Sequence, residues 1–435
     1  MRALHLFPFF GPDLHAGSSY VQTMLSRALM QRGVAVEVLA TCSAAVEPRA
    51  AFGLGWPADH RAGADAVLGV PVRRFPVSLA PPAARGHALS RVVFAQWRRE
   101  EAREGVFPRG SAAAIESFHR RALARPALVE ALAQLGRGPL SWPLYAAARR
   151  AVRQVDVVLA SFTPFATLWM AERLCRQHGV PLVLLPLFHP EDVYHHFRVF
   201  YRCFARADAL LAQTGYSAAL FRRLCPGANP IELGIGVDVD ELGDARIDGA
   251  RFRQRFGLGD APLVLFVGRK EHHKRYDLAV AAVDRLADPR VRLVMIGADV
   301  DRQPLASPRA VHLGPLARAD LLDAYDACDV FVLPSEHESF GIVFLEAWMR
   351  GKPVIGNAGC GPVASLISAG VDGELAADAE QLAHQLAALL GDRTRAAALG
   401  AAGRAKVLGR YTWARLGAVV HELYTALAAR RRGPE

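Results

Sequence analysis

The sequence predicts an α/β protein that consists of two halves, each with its own parallel sheet. The chain has 435 residues, which is more than one domain of about 150 residues requires. Its composition is 52% hydrophobic and 22% charged, which is typical of a globular chain and not of a disordered one. Short apolar runs alternate with helical patterns, and this alternation favours parallel strands covered by helices on both faces.

The strands of the first half are predicted from near-continuous apolar runs. These runs cover residues 4–7, 34–40, 70–75, 155–160, 180–187 and 209–212. Between the first two runs, Val21, Met24 and Leu25 follow a helical spacing, and this helix is expected to stop at Gly33. Residues 85–150 are polar, arginine-rich and helical in pattern, so we expect a basic helical insert at about residues 80–150.

The pattern restarts after residues 234–238, which marks the second half. Strands are predicted at residues 262–267, 291–296, 310–313, 329–333 and 354–355. Four of these five strands end at a glycine, and α/β sheets bind ligands beyond the carboxyl ends of their strands. Helices are expected at residues 276–286, 319–327, 342–350, 362–369 and 413–427.

The positive charge of the chain lies in its first half. The formal net charge is +10; residues 1–238 hold 27 basic and 17 acidic residues, whereas residues 239–435 hold 25 of each. Residues 85–125 alone contain nine Arg and four Glu, which fits an anionic membrane surface, a phosphorylated acceptor or a solvated insertion. An arginine-rich composition is also typical of a GC-rich genome. Nucleic-acid binding is not expected, because no groove-reading motif or stacking platform is present.

The N-terminus and the cysteines indicate the compartment. The apolar run at residues 4–7 is too short for a signal peptide, and no stretch of about 18 apolar residues predicts a membrane span. The six cysteines form no C-x-x-C pair, which argues against a zinc site and favours a reducing cytosol. We therefore expect a cytoplasmic protein, with peripheral association at the inner face of the membrane as a further location.

The most informative segment is residues 334–347. A buried strand ends at Pro334, a loop with ionisable side chains follows, and Ser339 is expected to cap a helix that contains Gly341 in its first turn. Unpaired N–H groups at a helix start favour a phosphate. Glu338 lies beside this anion site, and Glu346 lies two helical turns further on, so the two carboxylates can contact two parts of one ligand.

A basic loop follows the first strand of the same half. Residues 268–275 place Arg269 and Lys274 at the same edge of the sheet as Glu338. A basic run in a loop is most often a solvated surface. Here two cations and a helix start converge on one edge, which predicts a clamp for a diphosphate.

Residues 334–347, continued by Gly351, Pro353 and Val354, resemble the E-x7-E signature of retaining glycosyltransferases of family 4, which have the GT-B fold. Residues 268–274 resemble the family's G-R…K element. Residues 15–17 resemble its N-terminal Gly-Gly loop, although Ala16 replaces one glycine, and residues 234–238 resemble its interdomain P-N-G-V-D.

The resemblance implies two Rossmann-like domains that face each other across a cleft. Residues 1–236 would form the acceptor domain, residues 237–410 the nucleotide-sugar donor domain, and residues 411–435 a helix that packs back on the N-terminal domain. The implied reaction moves a hexosyl group from a nucleotide-diphosphate sugar to an acceptor hydroxyl with retention. A phosphate oxygen would receive the acceptor proton, and no metal or other cofactor is expected.

The resemblance also implies roles for individual residues. Glu346 would contact the ribose hydroxyls, Glu338 the sugar, and Arg269 and Lys274 the departing diphosphate. The remaining donor contacts would come from Gly17, Gly268, Leu316, Gly341, Ile342 and Val343. Leu316 would meet the base through its backbone, and Gly17 would let its loop approach the diphosphate.

One family feature is absent at its usual place, and it leaves alternatives open. Many members carry a histidine after the fourth strand of the N-terminal domain, where this chain offers Phe162. His189, after the next strand, is the substitute candidate for a sugar or acceptor contact, although a histidine at a strand end is more often structural. The rival functions are a nucleotide-sugar epimerase and a catalytically silent nucleotide-sugar-binding subunit.

Overall fold

A computed structural model describes residues 1–11, 17–44, 56, 58–78 and 111–432. The chain divides into two compact units. The first contains residues 1–213 and 217–233 together with the C-terminal residues from Leu416 onward, and the second contains residues 214–216 and 234–415. Each unit has its own sheet with helices, so the predicted α/β class with two parallel-sheet halves is confirmed.

The described part of the first unit contains a sheet of eight strands in the order β3-β4-β2-β1-β5-β6-β7-β8. The strands are β1 (Arg2–Leu6), β2 (Ala35–Thr41), β3 (Gly63–Val67), β4 (Val70–Phe75), β5 (Val157–Ala160), β6 (Leu182–Leu184), β7 (Ala209–Ala212) and β8 (Pro230–Glu232). All neighbours pair in parallel except β3 and β4. These two form a hairpin because Leu68 and Gly69 both adopt positive φ, which suits a two-residue turn.

Helices connect and cover these strands. They are α1 (Gly17–Met30), α2 (Ala112–Ala124), α3 (Ala127–Arg137), α4 (Trp142–Ala151), α5 (Ala166–His178), α6 (Arg198–Arg206) and α7 (Gly215–Leu224). The helical character predicted for the insert is confirmed for residues 111–151. The stretch 79–110, which holds half of its arginines, lies outside the described residues.

The second unit contains a parallel sheet of six strands within its described residues, in the order β11-β10-β9-β12-β13-β14. The strands are β9 (Leu263–Val267), β10 (Arg292–Ile296), β11 (Ala310–His312), β12 (Val330–Leu333), β13 (Val354–Asn357) and β14 (Glu374–Ala376). The helices are α8 (Val239–Leu242), α9 (Gly249–Arg255), α10 (Tyr276–Asp284), α11 (Arg318–Ala327), α12 (Ile342–Met349), α13 (Gly361–Leu366), α14 (Ala379–Gly391) and α15 (Arg393–Arg410).

The C-terminal helix α16 (Trp413–Arg432) joins the first unit from Leu416 onward. Leu416, Val420 and Tyr424 recur every four residues on one buried face of this helix. The Tyr424 hydroxyl lies 3.2 Å from Nε2 of His5, a buried residue of β1. The helix is therefore held to the central strand of the first sheet by apolar packing and by one buried polar contact.

Candidate functional site

Two loops meet at the carboxyl edge of the second sheet. The loop after β9 covers residues 268–275, and the loop after β12 covers residues 334–341. The carbonyl oxygen of His273 joins them, because it accepts a hydrogen bond from the Glu336 backbone N–H at 2.9 Å and one from Ser335 Oγ at 3.3 Å. At the end of β13, Asn357 Nδ2 donates to the Pro334 carbonyl at 3.0 Å. The edge is thus a connected structure, as expected for neighbouring parallel strands.

A glycine pair makes the close approach at this edge possible. The Gly268 N–H donates to the Ile296 carbonyl at 2.9 Å, which brings the chain after β9 against the end of β10. Gly297 follows with φ of +144°, and a Cβ placed there would lie 2.1 Å from the Gly268 carbonyl oxygen. Only glycine fits at position 297, since both the backbone conformation and the space exclude a side chain.

The structure brings Lys274 and Glu338 together. Lys274 Nζ lies 2.6 Å from Glu338 Oε1, and the two side chains are only 15% and 12% exposed. Lys274 ends a short 3-10 turn (His272–Lys274), and Glu338 lies in the loop after β12. A lysine predicted to bind a diphosphate and a glutamate predicted to face a sugar are therefore direct neighbours, and both roles stay predictions.

The other cations of the basic loop also have carboxylate partners. Arg269 pairs with Glu271 at 3.0 Å, and its side chain is 59% exposed. Arg275 binds Asp277 at 3.0 Å and Glu336 at 2.7 Å, and these carboxylates help to hold it at φ of +50°. Arg275 thus adopts a left-handed backbone conformation that favours glycine. Its two ion pairs stabilise this conformation at the turn that leads into α10.

The charges of this edge converge on His273. Burial lowers the pKa of His273 first, and the Lys274 and Arg269 charges lower it further, while Glu271 and Glu338 oppose them. The His273 ring lies 6.4 Å from the ring of His337 in a stacked arrangement. Arg269, Lys274 and Glu338 therefore all lie close enough to His273 to act on its charge.

The start of α12 differs from the prediction at one residue. Gly341, not Ser339, is the N-cap, with φ of +91° and no side-chain cap. A Cβ at Gly341 would lie 2.7 Å from Phe344 Cδ2, so this position also requires glycine. The expected cap is wrong because the chain enters the helix through a left-handed residue and not through an extended serine. The N–H groups of Ile342 and Val343 open the helix, where no preceding turn can accept from them.

Glu346 is more enclosed than its predicted role suggests. It lies on α12, is 8% exposed, and both of its carboxylate oxygens accept hydrogen bonds. Arg318 Nη1 donates to Oε1 at 2.6 Å, and the Tyr325 hydroxyl donates to Oε2 at 2.7 Å. Neither Arg318 nor Tyr325 was predicted from the sequence. The only signal was their separation of seven residues, which places both on one face of α11.

The loop before α11 contains Leu316, which is partly buried. Gly314, with φ of +71°, accepts a hydrogen bond from the Gly297 N–H at 3.0 Å. This bond places the loop next to the ends of β9 and β10. Leu316 therefore belongs to the same edge as Gly268, and its contact with a base stays a prediction.

Gly17 and His189 lie in the first unit. Gly17 is the first residue of α1, and a Cβ there would meet no described atom within 4 Å. His189 lies after β6, where its ring Nδ1 is 3.2 Å from Glu191 Oε1. Its backbone N–H donates to His195 Nδ1 at 3.1 Å. Phe162, the residue at the family's usual histidine position, is buried against Phe165. The roles predicted for Gly17 and His189 stay predictions.

A cavity of about 660 Å³ lies at the amino edge of the first sheet, where β6 and β7 begin. Its lining includes arginines that end three helices: Arg176 in α5, Arg206 in α6, and Arg430 in α16. Cations in the last turn of a helix complement its dipole, so these arginines have a structural explanation. The cavity is not part of the edge that carries Lys274 and Glu338.

Two kinds of feature are absent from the described residues. None of the helices in that part of the chain combines the length and apolar content that a membrane crossing requires. Over the same residues, no three or more His, Cys, Asp or Glu side chains are grouped so that they could hold a metal ion.

Most of the second unit is similar to a known protein family. Residues 249–406 match the family model described as "Glycosyl transferases group 1". The matched segment contains Arg269, Lys274, Glu338 and Glu346.

The curated relatives described here are named as glycosyltransferases. The chain is 35% identical over 250 residues to a D-inositol 3-phosphate glycosyltransferase of Xylanimonas cellulosilytica, which covers 52% of this chain and 59% of the relative. It is 32% identical over 240 residues to a GDP-mannose-dependent alpha-(1-6)-phosphatidylinositol monomannoside mannosyltransferase of Mycolicibacterium smegmatis, over 50% of this chain and 62% of that protein. The chain thus spans about three-fifths of the length of these two relatives.

Solved structures share the fold over nearly the whole chain. The Anabaena protein Alr3699/HepE, solved in complex with UDP, has a TM-score of 0.66 at 18% identity and covers 98% of this chain and 100% of its own. Sucrose-phosphate synthase from Thermosynechococcus elongatus has a TM-score of 0.64 at 18% identity, over 98% of this chain and 99% of its own. These likenesses confirm the predicted GT-B fold class.

Proposed function

We propose that the chain is a retaining glycosyltransferase that moves a hexosyl group from a nucleotide-diphosphate sugar to an acceptor hydroxyl without a metal. The observation that carries this proposal is the single sheet edge where Lys274 meets Glu338 beside the start of α12. The names of the curated relatives and the family match over residues 249–406 support it.

The donor site follows from the chemistry of this edge. A diphosphate carries negative charge that Arg269 and Lys274 neutralise, and the N–H groups of Ile342 and Val343 add a favourable helix dipole. Before the donor binds, Lys274 is neutralised by Glu338 at 2.6 Å. Donor binding therefore replaces the ion pair between Lys274 and Glu338 with one between Lys274 and the diphosphate. The Glu338 carboxylate is then free to accept hydrogen bonds from the sugar hydroxyls.

The proposed step needs no separate protein base. The bond between the sugar's anomeric carbon and the phosphate oxygen breaks, and the acceptor oxygen forms a new bond to that carbon on the same face. The acceptor proton passes to an oxygen of the departing diphosphate. Negative charge develops on the leaving group during this step, so preorganised cations contribute most when they stand where that charge appears.

We further propose an anionic or membrane-borne acceptor and a cytoplasmic location at or near the inner membrane face. The charge excess over residues 1–238 supports an anionic partner, because 27 basic residues face only 17 acidic ones there. The two curated relatives described above carry an inositol phosphate or a phosphatidylinositol in their names. Nucleic acid is not part of this proposal.

A turnover assay separates the transferase from a silent binding subunit and from an epimerase. The full chain is incubated with UDP-, GDP- and ADP-sugars, and released nucleoside diphosphate is measured. We expect slow release from one donor class, reduced by about a hundredfold in Lys274→Ala and in Glu338→Ala because each removes electrostatic or sugar contacts of the transition state. Lys406→Ala is the matched control, since it breaks an ion pair with Asp372 in the same unit.

Each other outcome has a distinct meaning. Release that is undiminished in both Lys274→Ala and Glu338→Ala contradicts the site assignment. A donor that binds without any release supports a silent subunit. Interconversion of two nucleotide sugars without release of the nucleotide supports an epimerase.

A further inference from the structure

Arg318 connects Glu346 to a second carboxylate. Its Nη1 donates to Glu346 Oε1 at 2.6 Å, while its Nη2 and Nε donate to the two oxygens of Glu241 at 2.8 and 3.1 Å. Burial opposes the charge of Arg318, but the hydrogen bonds and charges of Glu241 and Glu346 outweigh it and raise the pKa of the guanidinium. Arg318 therefore stays charged, and one planar group fixes the direction of the Glu346 carboxylate.

Tyr325 holds the other oxygen of the same carboxylate. Its hydroxyl donates to Glu346 Oε2 at 2.7 Å, and the ring is fully buried. Burial, and then the charge of Glu346, raise the pKa of Tyr325 well above its usual value. The phenol is therefore a permanent donor, and its packing leaves it little freedom to release the carboxylate.

Together the two donors hold a nearly buried carboxylate at both of its oxygens. A carboxylate oxygen has two acceptor sites, so each oxygen of Glu346 keeps one after the contacts with Arg318 and Tyr325. Two parallel acceptors with a fixed orientation match two adjacent hydroxyls. Arg318 is also the first residue of α11, directly after the loop that contains Leu316. The network thus begins beside the residue predicted to meet the base.

Other residues of α11 also anchor the helix to its neighbours. Asp323 on the same helix receives two hydrogen bonds at 2.7 Å from Arg251, and Asp326 receives the Arg350 guanidinium, with Nε at 3.1 Å. These ion pairs tie α11 to α9 and to the end of α12 through other positions. Because Arg318 and Glu241 are both partly exposed to solvent, their ion pair contributes little to the free energy of unfolding.

We infer that Arg318 and Tyr325 are positioning residues that hold Glu346 to accept from both hydroxyls of the donor's ribose, and so make the site select ribonucleotides over 2′-deoxyribonucleotides. This inference rests on the proposed function, because it concerns the nucleoside part of the same donor site. Neither residue touches the nucleotide; each acts through Glu346.

Calorimetric titration of the full chain tests the inference. UDP, GDP and ADP are compared with dUDP, dGDP and dADP on the wild type and on the variants Tyr325→Phe, Arg318→Ala and Arg318→Lys. Two controls match the changes. Tyr424→Phe removes the hydroxyl of another fully buried tyrosine, and Arg251→Gln breaks the neighbouring ion pair on α11. The melting temperature is recorded for each protein, so that a loss of folding is recognised.

The measured quantity is the ratio of the affinities for the ribonucleotide and its 2′-deoxy form. In the wild type we expect about tenfold preference for the ribonucleotide that binds, because one hydrogen bond to a charged group is at stake. The ratio should fall towards one in Tyr325→Phe and Arg318→Ala, recover in part in Arg318→Lys, and stay at the wild-type value in both controls. A merely structural role would lower the melting temperature and leave the ratio unchanged.

Two results overturn the inference, and they differ. If the wild type binds a ribonucleotide and the ratio is the same in the variants, then Arg318 and Tyr325 do not position Glu346, while the proposed function stands. If the wild type binds none of the three nucleoside diphosphates, the proposed function fails and the inference fails with it.

Discussion

Two fully buried histidines make the first unit sensitive to acid. His5 on β1 places Nδ1 2.8 Å from Ser26 Oγ and Nε2 3.2 Å from the Tyr424 hydroxyl, and burial lowers its pKa to about 3. His196 lies 2.5 Å from the Tyr201 hydroxyl and 2.8 Å from the Pro190 carbonyl oxygen, and burial lowers its pKa to about 4. Both are neutral in the folded protein at pH values where an unfolded histidine is charged.

The sign and the size of the effect follow from proton binding. The unfolded side chains have a pKa of 6.5, so between pH 6.5 and the folded values the unfolded state binds more protons. The contribution of these two neutral histidines to the free energy of unfolding is fully present above pH 6.5 and is lost as the pH falls towards their folded pKa values. At pH 5 each histidine lowers the free energy of unfolding by about 2 kcal/mol, or about 4 kcal/mol together. For a unit of this size, that corresponds to a fall in melting temperature of about 8–16 °C.

Thermal unfolding between pH 7.5 and pH 5 at constant ionic strength measures this dependence. Few carboxylates titrate in that range, so histidines dominate it. Because burial also lowers the pKa of His60 and His119 in the same unit, we expect His5→Gln and His196→Gln each to remove only its own contribution of about 2 kcal/mol at pH 5, whatever the stability of the variant at pH 7.5. A pH dependence in both buried variants that equals the wild type would refute the reasoning.

Two further substitutions separate folding from binding at the edge of the second sheet. Gly297→Ala should destabilise the second unit by about 2–3 kcal/mol in urea unfolding, because its Cβ would lie 2.1 Å from a backbone oxygen, whereas Gly391→Ala, where a Cβ meets no described atom within 4 Å, should change the stability little. Arg269→Ala should change stability by less than about 1 kcal/mol but lower the rate of nucleoside diphosphate release. Arg290→Ala breaks a similarly exposed pair and should leave the rate intact; equal rates in both variants would exclude Arg269 from the site.

The interior strands could be predicted because their local pattern and the sheet topology agree. The strands β9 and β12 are apolar throughout and β10 is apolar after Arg292, which identifies all three as interior parallel strands without any tertiary information. The carboxyl ends of neighbouring strands share one edge. For that reason Lys274 and Glu338, which are 64 residues apart, could be predicted to meet.

The errors fall where tertiary contacts override the local pattern. The strand predicted at residues 180–187 is only Leu182–Leu184, because the chain leaves the sheet after Leu185 and Pro186 has no N–H to donate. The short edge strands Gly63–Val67, Pro230–Glu232 and Glu374–Ala376 were missed, since they are partly polar and brief. Nothing in the local sequence distinguishes Arg318 or Tyr325 either, because each is identified only by its hydrogen bond to the Glu346 carboxylate, which is 21 or more residues away in the chain.

The central claim is that the edge carrying Lys274 and Glu338 binds a nucleotide sugar, and a thermal-shift titration tests it most directly. A ligand that binds only the native state raises its stability, by about 2.7 kcal/mol when its concentration is a hundred times its dissociation constant. We predict that one class among UDP-, GDP- and ADP-sugars raises the melting temperature of the wild type and of Lys406→Ala, and that the shift is lost in Lys274→Ala. The absence of any shift with all three classes, or an equal shift in Lys274→Ala, would contradict the account.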